Sequence, residues 1–495
     1  MTDDYTAERI KKLKKLEEKG INPYPQIILK NKKFSEDILK SYNKLKKDSS
    51  SRKNEIIAGR IMALRNMGSI AFAHVQDEKG RLQVVFQKNK LSTNYELLDY
   101  LDLGDIIVVK GNPYRTKRGE LSINASEFEL ASKSLLPLPE KYHGLKDEEN
   151  RLRKRHLDAI MNPELIETFK KKTRIIKTVR EFMDKQGFLE VQTPIMQLIY
   201  GGASAEPFKT HHNTLNTDFY LRISTEMHLK RLIIAGFEKI YEIGPTFRNE
   251  GMDSSHLQEI PNHFEFYWAY QDYEELMKFT EKLMTYLLKK INKSLKLEYQ
   301  GEIFDFTTPY QRISFRELLL KNAGIDIDDC STYESLKKEI IKKKIPDIDA
   351  EKAKHYGALL DELYKRTCRP KIKQPTFLTN YPVEMIPLAK RNESDSSKIN
   401  TVQLLVNGWE LVKAYDELNN PLDQRSRLLE QQEFLKKGDK EAHPLDEDFI
   451  EAIEQGMPPT AGFGLGLDRL CMFLLNQPSI RASVFFPLMK PERED

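Results

Sequence analysis

Two segments of the chain combine arginine, acid and glycine residues in patterns that suit a phosphate ester. In the first, Arg248 and Glu250 are two residues apart, so an extended strand would place both on one face, just before a polar loop that ends near His256. An arginine fork beside a carboxylate suits a phosphate with an amine held next to it. A surface salt bridge would show the same pair, so this segment alone leaves both interpretations open.

The second segment repeats glycine with the period of a strand. Its glycines would leave one strand face bare, and a bare face lets a ligand or another backbone approach closely. The helix predicted from Leu467 to Leu475 carries Arg469 in its first turn. Close packing of that helix on the strand is the alternative explanation of the glycines. They are Gly462, Gly464 and Gly466.

These segments need a larger scaffold, and the chain has room for one. Its 495 residues suggest two or more hydrophobic cores. Five strand-like runs, with a helical segment near 95–101 between the third and fourth, follow the order of a small OB-type barrel. Such barrels bind single-stranded nucleic acid or sugars, although another five-stranded domain would fit the same pattern. The runs are 56–64, 70–77, 82–86, 106–114 and 121–128.

The chain is predicted to have an α+β fold with two domains. Residues 1–145 hold an N-terminal helix and the barrel, and residues 146–163 form a charged linker that follows a proline-rich stretch. Residues 164–495 form the larger domain. Within it, a lysine-rich segment at about 320–373 is predicted to be a helical insertion with a solvated face.

Charge and cysteine content restrict the compartment and the partners. Lys and Arg number 79 against 75 for Asp and Glu, finely mixed, which permits a nucleic acid partner without requiring one. The three cysteines lie far apart without a CxxC pair, which argues against a zinc cluster and suits a reducing compartment. No apolar stretch is long enough to span a bilayer. We therefore expect a cytoplasmic protein with no membrane partner.

Taken together, the segments resemble the three motifs of class II aminoacyl-tRNA synthetases, in that family's order. The helix leading through Gly187 to Pro194 is similar to motif 1, whose proline lies at the dimer interface in the family. The segments around Arg248 and Arg469 are similar to motifs 2 and 3. Further strings match the lysyl-tRNA synthetases rather than their aspartate and asparagine relatives. These strings are 201–213, 220–226 and 381–384.

The resemblance, which runs from about Ile10 to Pro491, implies a homodimeric lysine–tRNA ligase. Such an enzyme uses ATP and Mg²⁺ to activate L-lysine on a six- or seven-stranded antiparallel sheet flanked by helices. It then transfers lysine to the 3′-terminal ribose of tRNA(Lys). Two alternatives are a relative that delivers lysyl-adenylate to another acceptor, and a catalytically weakened paralogue that acts as an RNA-binding or regulatory protein.

The resemblance also implies roles for individual residues, the catalytic ones being Arg248, Glu250 and Arg469. Arginine forks there would stabilise the charge that builds as the lysine carboxylate displaces pyrophosphate, so no general base is required. The implied ATP-binding set is Arg248, Glu250, His256, Ile260, Phe264, Glu410, Gly466 and Arg469, with Glu410 and Gln403 as the metal positions.

Burying an alkylammonium is costly unless carboxylates accept its protons, so a lysine pocket should present acids. The implied lysine-binding set is Gly202, Glu226, Glu265, Tyr267, Lys413, Tyr415 and Glu417. In the barrel, an aromatic platform and polar side chains suit the stacking and hydrogen bonding of anticodon bases. The implied anticodon-binding set is Arg65, Phe72, Gln83 and Glu120. Without the resemblance, each of these residues alone would be interpreted as an ordinary ion-pairing or core residue.

Three departures from the family pattern fall in the catalytic domain. Gln403 stands where the pattern has a magnesium-binding acid, and Lys413 replaces an asparagine near the substrate carboxylate. We hypothesise that the Lys413 ammonium takes over part of the charge neutralisation and lowers the demand for magnesium. Alternatively, Lys413 pairs with a neighbouring acid. The third departure is an extra residue after His256, which leaves either Ile260, by position, or Phe264, by type, to stack on adenine.

Overall fold

The structure is a computed structural model that divides into two compact units, Met1–Glu167 and Thr168–Asp495. The residues it describes are 2–139, 145, 147–251, 256–346, 348 and 353–492. No helix among these residues is long and apolar enough to cross a membrane.

The first unit contains a closed barrel of five long strands, which confirms the predicted OB-type order. Within the described residues the strands pair in the order β1-β5-β2-β3-β4-β6, and an additional β5–β6 pairing closes the barrel. Alternating apolar residues such as Ile61, Val84 and Ile123 fill its interior. The elements are α1 Thr2–Glu18, α2 Ser35–Ser41, β1 Ser49–Ser50, β2 Glu55–Asn66, β3 Ile70–Asp77, β4 Gly80–Gln87, α3 Lys88–Leu91, a 3₁₀ helix Ser92–Tyr100, β5 Ile106–Arg115, β6 Leu121–Ser132, α4 Glu148–Arg153 and α5 Arg155–Met161.

The predicted linker contains the two short helices α4 and α5 rather than extended chain. Gln76 Nε2, on strand β3, donates a 2.8 Å hydrogen bond to the carbonyl of Ile160 in α5. These helices therefore contact the barrel unit. Lys146, in the same segment, lies outside the described residues, and the exact domain limits stay a prediction.

The second unit is built on one large sheet with helices on its faces. Its elements are α6 Glu164–Lys185, β7 Leu189–Glu190, β8 Met196–Gln197, β9 Lys209–His212, β10 Thr217–Leu221, α7 Glu226–Ile234, β11 Lys239–Phe247, β12 Glu259–Ala269, α8 Tyr273–Ile291, β13 Lys296–Tyr299, β14 Glu302–Asp305, β15 Gln311–Ser314, α9 Phe315–Ala323, α10 Tyr333–Lys342, α11 Tyr356–Thr367, β16 Thr376–Thr379, β17 Thr401–Val406, β18 Trp409–Asp416, α12 Pro421–Lys436, α13 Glu447–Glu454, β19 Thr460–Gly466 and α14 Leu467–Leu474, with 3₁₀ helices Arg369–Lys371, Val383–Met385 and Arg481–Ser483.

The sheet is mixed, which refines the expected antiparallel arrangement. In the described part of the chain, eight strands pair in the order β15-β16-β17-β18-β19-β12-β11-β7. The central pairings are antiparallel, but β15–β16 and β11–β7 at the two edges are parallel. Parallel neighbours need a crossover connection, and helices α9, α10 and α11 of the predicted insertion supply it between β15 and β16.

Alternation along the central strands separates a packed face from a polar face. Phe264 and Phe266 on β12 are fully buried in a core that also contains Leu283 of α8 and Leu470 of α14. The Phe266 ring stacks on Phe463 of β19 with centroids 4.5 Å apart. The residues between these aromatics point to the opposite face, which carries most of the predicted site.

Candidate active site

Four adjacent strands align the predicted site residues in rows across the polar face of the sheet. Strand β19 lies between β12 and β18, and β17 follows β18. Side chains two residues apart along a strand lie on the same face of the sheet, so two rows with that spacing share one face. One row is Glu265, Gly464, Lys413 and Gln403, and the next is Tyr267, Gly462 and Tyr415.

The glycines of β19 have different surroundings. A β-carbon at Gly462 would lie 1.8 Å from Glu417 Oε1 and 2.7 Å from Tyr267 Cε1, so this glycine makes room for a carboxylate. A β-carbon at Gly464 would make only ordinary contacts, 3.7 Å from the Lys413 carbonyl oxygen and 3.9 Å from Glu265 Cγ, so this position has room for one more group. At Gly466 it would make only ordinary contact with Arg469 of helix α14, at 3.5 Å. Helix packing therefore does not account for the first two glycines.

Glu265 is a buried acid whose two oxygens are both occupied by protein donors. The hydroxyl of Ser224 and Nε2 of His263 lie 2.7 and 2.6 Å from Oε1, and the Thr225 hydroxyl donates to Oε2 over 2.6 Å. Burial acts to raise the pKa of Glu265, but His263 and the hydroxyl donors outweigh it and lower the pKa. Glu265 therefore stays charged.

Glu226, at the start of helix α7, is also fully bonded. The Lys230 ammonium, one helical turn later, donates to Oε1 over 2.6 Å, and the Tyr415 hydroxyl donates to Oε2 over 2.8 Å. Lys230 is completely buried, and although burial opposes its charge, the neighbouring Glu226 and Glu417 raise its pKa. Lys230 was not among the predicted pocket residues, although its spacing of four residues from the predicted acid Glu226 was an available signal.

Glu417 is the acid with unused bonding capacity. Its Oε2 contacts the Lys230 ammonium, whereas Oε1 has no hydrogen-bond partner among the described residues. The side chain is 1% exposed, and burial raises its pKa well above the ordinary value. A buried carboxylate oxygen without a donor is costly, so this site is built to receive a positively charged or hydrogen-bonding group.

Gly202 and Tyr267 line the same pocket. Gly202 has a φ of +86°, and a β-carbon there would lie 2.7 Å from Ser224 Oγ and 2.8 Å from Glu226 Cβ. Only glycine brings the backbone this close to the acid. Burial, reinforced by Glu226, raises the pKa of Tyr267 well above its usual value, so its hydroxyl remains protonated.

Two half-buried arginines follow closely after strands β11 and β19. The Nε atoms of Arg248 and Arg469 have no hydrogen-bond partner in the described residues. Arg469 lies over the Trp409 ring, 5.4 Å from its centroid, and donates to the carbonyl oxygen of Glu410. Burial lowers the pKa of Arg469 to about 10, so it remains charged at neutral pH. Unsatisfied guanidinium donors in a buried site are suited to a phosphate.

Asp468 fixes the helix start that carries Arg469. Its Oδ1 accepts from the Lys172 ammonium of α6 over 2.6 Å, and its Oδ2 accepts from the backbone N–H of Asn262 over 3.0 Å. Asp468 is 1% exposed. It thereby joins α6, β12 and α14 at a single buried point.

Arg248 and Glu250 do not continue strand β11, contrary to prediction, because the chain turns after Phe247. The N–H of Glu250 donates to the Arg248 carbonyl over 2.8 Å, and the N–H of Asn249 donates to Glu206. Arg248 still faces Arg469 closely enough to contribute to the lowering of its pKa. Arg248 therefore lies near Arg469, although Arg248 and Glu250 do not share a strand face.

The two candidates for adenine stacking are not equivalent. Phe264 is fully buried on the packed face of β12, opposite Glu265, so it is not available to a ligand on the polar face. Ile260 is partly exposed, although it also packs against that core. His256 is exposed, and residues 252–255 before it lie outside the described residues. Ile260 and His256 stay predictions as ATP contacts.

The predicted metal position does not fit a divalent ion. Gln403 Oε1 accepts hydrogen bonds from Tyr381 over 2.5 Å and from Tyr364 over 3.3 Å. Both lone pairs of this amide oxygen are therefore occupied, leaving Glu410 to offer a carboxylate there. Among the described residues, no group of three or more His, Cys, Asp or Glu side chains could hold a metal.

The barrel brings its predicted contacts to neighbouring strands. Arg65 pairs directly with Phe72 across β2 and β3, and Gln83 pairs with His74 across β3 and β4. His74 Nε2 lies 3.4 Å from Glu120 Oε1. The structure thus adds His74, which sequence analysis missed although it alternates with Phe72 along one strand face. Gln83 is buried and donates to Ser122, so it is less accessible than Arg65.

Comparison with known proteins assigns the class to which this fold and site belong. The family described as tRNA synthetases class II (D, K and N) matches residues 147–490. The OB-fold nucleic acid binding domain matches residues 56–131. The chain therefore belongs to the class II tRNA synthetases of the D, K and N group.

Individual relatives are similar to this chain over nearly its whole length. A lysine–tRNA ligase of Pelotomaculum thermopropionicum is 43% identical over 484 residues, which are 98% of this chain and 94% of the relative. Lysine–tRNA ligases of Campylobacter jejuni and Thermoanaerobacter pseudethanolicus are 42% and 44% identical. They cover 99% and 98% of this chain, and the matches span 97% and 96% of those relatives. The resemblance to lysyl-tRNA synthetases is thereby confirmed.

Proposed function

We propose that this chain is a lysine–tRNA ligase that makes lysyl-adenylate from L-lysine and ATP and then charges tRNA(Lys). One observation carries the substrate assignment: among the described residues, Glu417 Oε1 is buried without a donor in an acid pocket, and Arg248 and Arg469 have unused Nε–H groups. The Glu417 end of the site thus lacks a cation, and the end with the two arginines lacks an anion. Lysine and ATP supply both.

Charge balance in the pocket favours lysine over acidic or neutral amino acids. Glu226, Glu265 and Glu417 are three carboxylates, and the internal Lys230 ammonium neutralises only one of them. Acid side chains therefore outnumber the buried ammonium in this pocket, which favours a substrate that brings positive charge. Aspartate would bring an additional buried negative charge.

In the first step, a carboxylate oxygen of lysine attacks the α-phosphorus of ATP. The bond from that phosphorus to the α,β-bridging oxygen breaks, and pyrophosphate leaves with the electron pair. No proton moves, so the chain needs charge stabilisation rather than a base. Arg248 and Arg469 would supply it through Nε–H donors that have no partner among the described residues. Glu250 is proposed to border the same phosphate. Mg²⁺ enters as the ion that accompanies ATP in solution.

In the second step, a ribose hydroxyl at the 3′ end of tRNA(Lys) attacks the lysyl carbonyl and AMP leaves. The hydroxyl proton passes to the departing phosphate or to water. Arg65, Phe72, His74 and Glu120 on the barrel would hold the anticodon by stacking and hydrogen bonding. The retained acid pocket and arginines favour this enzyme over a weakened, RNA-binding paralogue.

The proposal includes a homodimer in the cytoplasm. Several apolar side chains in the motif 1 region are exposed, and a large exposed apolar patch is suited to a protein interface. They are Leu189, Ile195, Met196, Leu198 and Ile199. The three cysteines are buried and free, in keeping with a reducing compartment.

Amino-acid-dependent exchange of pyrophosphate with ATP tests the proposed function directly. Exchange with lysine, and none with aspartate, asparagine or arginine, is the expected result, with ornithine as the more demanding competitor because it differs by one methylene. Charging of tRNA(Lys) then tests the acceptor. A properly folded chain that supports no exchange with lysine would overturn the proposal.

A further inference from the structure

Gln403 and Lys413 are direct neighbours across strands β17 and β18, so two departures from the family pattern form one local arrangement. Gln403 is buried, and its amide oxygen is held by the hydroxyls of Tyr381 and Tyr364. An amide brings no charge, and here it brings no free oxygen lone pair. The place where an acid could anchor a metal is therefore closed by the chain's own hydrogen bonds.

Lys413 brings a positive charge to that same place. Within the described residues, no carboxylate lies within 4.0 Å of its ammonium, so it does not form the ion pair that was the alternative expectation. The side chain is half-buried and belongs to the polar face of β18. Its charge also acts on the buried His443, because Lys413, after burial itself, helps lower the pKa of that imidazole to about 4.

A small additional group fits beside Lys413 without a clash. Its neighbour across β18 and β19 is Gly464, where a β-carbon would meet nothing closer than 3.7 Å, and beyond Gly464 lies Glu265. Strands are about 4.8 Å apart, so roughly 10 Å separate the backbones of Lys413 and Glu265. Glu265 is already satisfied by protein donors, which leaves the ammonium free for a ligand anion in that space.

We propose that Lys413 is a built-in cation that replaces a metal ion held by the protein during adenylate formation. This inference rests on the proposed function. The ammonium would contact the lysine carboxylate or the α-phosphate and balance the charge that gathers as these two anions approach. The lysine carboxylate and the α-phosphate, both anions, must approach each other here. Because the fold holds the Lys413 ammonium in place, a cation is present before any metal ion binds. The chain would then need divalent ions only to accompany the phosphates of ATP.

Three variants distinguish the role of the Lys413 charge from the role of a bound metal ion. Lys413→Asn removes it, Lys413→Met removes it while keeping the side-chain length, and the double variant Q403E/K413N restores the acid and amide of the family pattern. Each is assayed by lysine-dependent pyrophosphate exchange at constant Mg-ATP while free Mg²⁺ is varied. Thermal unfolding checks that every variant is folded.

The wild-type chain is expected to respond to free Mg²⁺ with a Hill slope near one and to saturate once ATP is complexed. Both single variants should lose about tenfold or more in exchange at low free Mg²⁺. The double variant should regain exchange only at high free Mg²⁺, with a steeper slope. A steep multi-ion response in the wild type, unchanged in Lys413→Asn and Lys413→Met, would overturn the inference.

A binding measurement keeps the inference testable apart from activity. Mn²⁺ bound in the presence of lysine and α,β-methylene ATP is counted by electron paramagnetic resonance. One ion per site is expected for the wild type, and more than one for Q403E/K413N. Extra ions on the wild type would contradict the role of Lys413. A wild type that shows no lysine-dependent exchange at any Mg²⁺ concentration would overturn the proposed function instead, and the ion count would still decide the inference.

Discussion

Glu417 Oε1 lies over the Cα of Gly462, where the β-carbon of any larger residue would stand. That β-carbon would be 1.8 Å from the oxygen, whereas one at neighbouring Gly464 would find no protein atom closer than 3.7 Å. The two glycines on one strand face therefore serve different purposes. Gly462 makes room for a protein carboxylate, and Gly464 leaves room for one further small group.

Alanine substitutions distinguish these purposes. Gly462→Ala must displace the Glu417 carboxylate, so we expect the KM for lysine in pyrophosphate exchange to rise at least about tenfold. Gly464→Ala meets only ordinary protein contacts, so its unfolding temperature should match that of the wild type while its exchange rate falls. Unimpaired exchange in Gly464→Ala would show that no ligand passes over this residue.

Glu417→Gln keeps the side-chain size and removes the carboxyl group that could ionise against a bound cation. A hydrogen bond to a charged group contributes about 1.5–3 kcal/mol, so the KM for lysine should rise roughly 10- to 100-fold. The KM for ATP, measured on the same preparation, should stay within about twofold because the arginines are untouched. An equal rise in both constants would point to general disruption of the site and contradict the assignment of Glu417 to the lysine ammonium.

The sequence predicted the barrel strands and the glycine face because both follow from short-range patterns. Alternation along one strand shows which residues share a face, and the five barrel runs match strands β2 to β6 closely. It could not show that Glu417, two residues beyond Tyr415, reaches back over Gly462, because that depends on the path of the chain after β18. Nor could it show that Glu226 and Glu265 are fully bonded within the protein.

The errors have equally physical causes. The prediction that Arg248 and Glu250 lie on a strand extended the β11 pattern beyond Phe247, where backbone hydrogen bonds to Glu206 and within the turn redirect the chain. Phe264 was a candidate for adenine stacking by residue type. It lies two residues from Phe266 on the same strand, however, so both side chains point into the core. Lys230 was overlooked because a lysine in a helix is ordinarily solvated, and its second acid partner, Glu417, comes from a distant segment.

Arg469 should be required for the chemical step as a guanidinium rather than as a charge alone. Arg469→Lys keeps the positive charge and loses the planar fork, so kcat for exchange should fall by about 100-fold. The matched control is Arg425→Lys, the same change in an exposed ion pair with Glu447, which should leave kcat unchanged. Exchange that is equally unaffected in both variants would contradict a role for Arg469 on the phosphate.

Buried His443 should make the second unit sensitive to acid. Burial first, then the cations Lys413 and Lys230, lower its pKa to about 4 from 6.5. Between these values the unfolded chain binds a proton that the folded chain rejects, so the free energy of unfolding falls as pH drops from 6.5 toward 4. A shift of this size corresponds to on the order of 3 kcal/mol, present in full above pH 6.5.

His443→Gln, which does not titrate, should flatten that part of the stability profile. Urea unfolding of the wild type and the variant at pH 7.5, 6 and 5 measures the difference. Lys413→Asn should act in the same direction but more weakly, because burial is the largest cause of the shift. Parallel profiles for wild type and His443→Gln would mean that other groups set the acid sensitivity.

The strand face of the barrel should affect tRNA charging without affecting activation of lysine. Phe72 is partly exposed and pairs with Arg65, so its ring is placed to stack on a base. Stacking contributes about 1–3 kcal/mol per base, and Phe72→Ala should therefore lower kcat/KM for tRNA(Lys) roughly 5- to 150-fold. Pyrophosphate exchange needs no tRNA and should be unchanged. Ile28→Ala, at a highly exposed apolar position in the same unit, is the control and should charge normally. If Phe72→Ala also charged normally, this face would not hold the anticodon, and the barrel would have to bind tRNA through other residues.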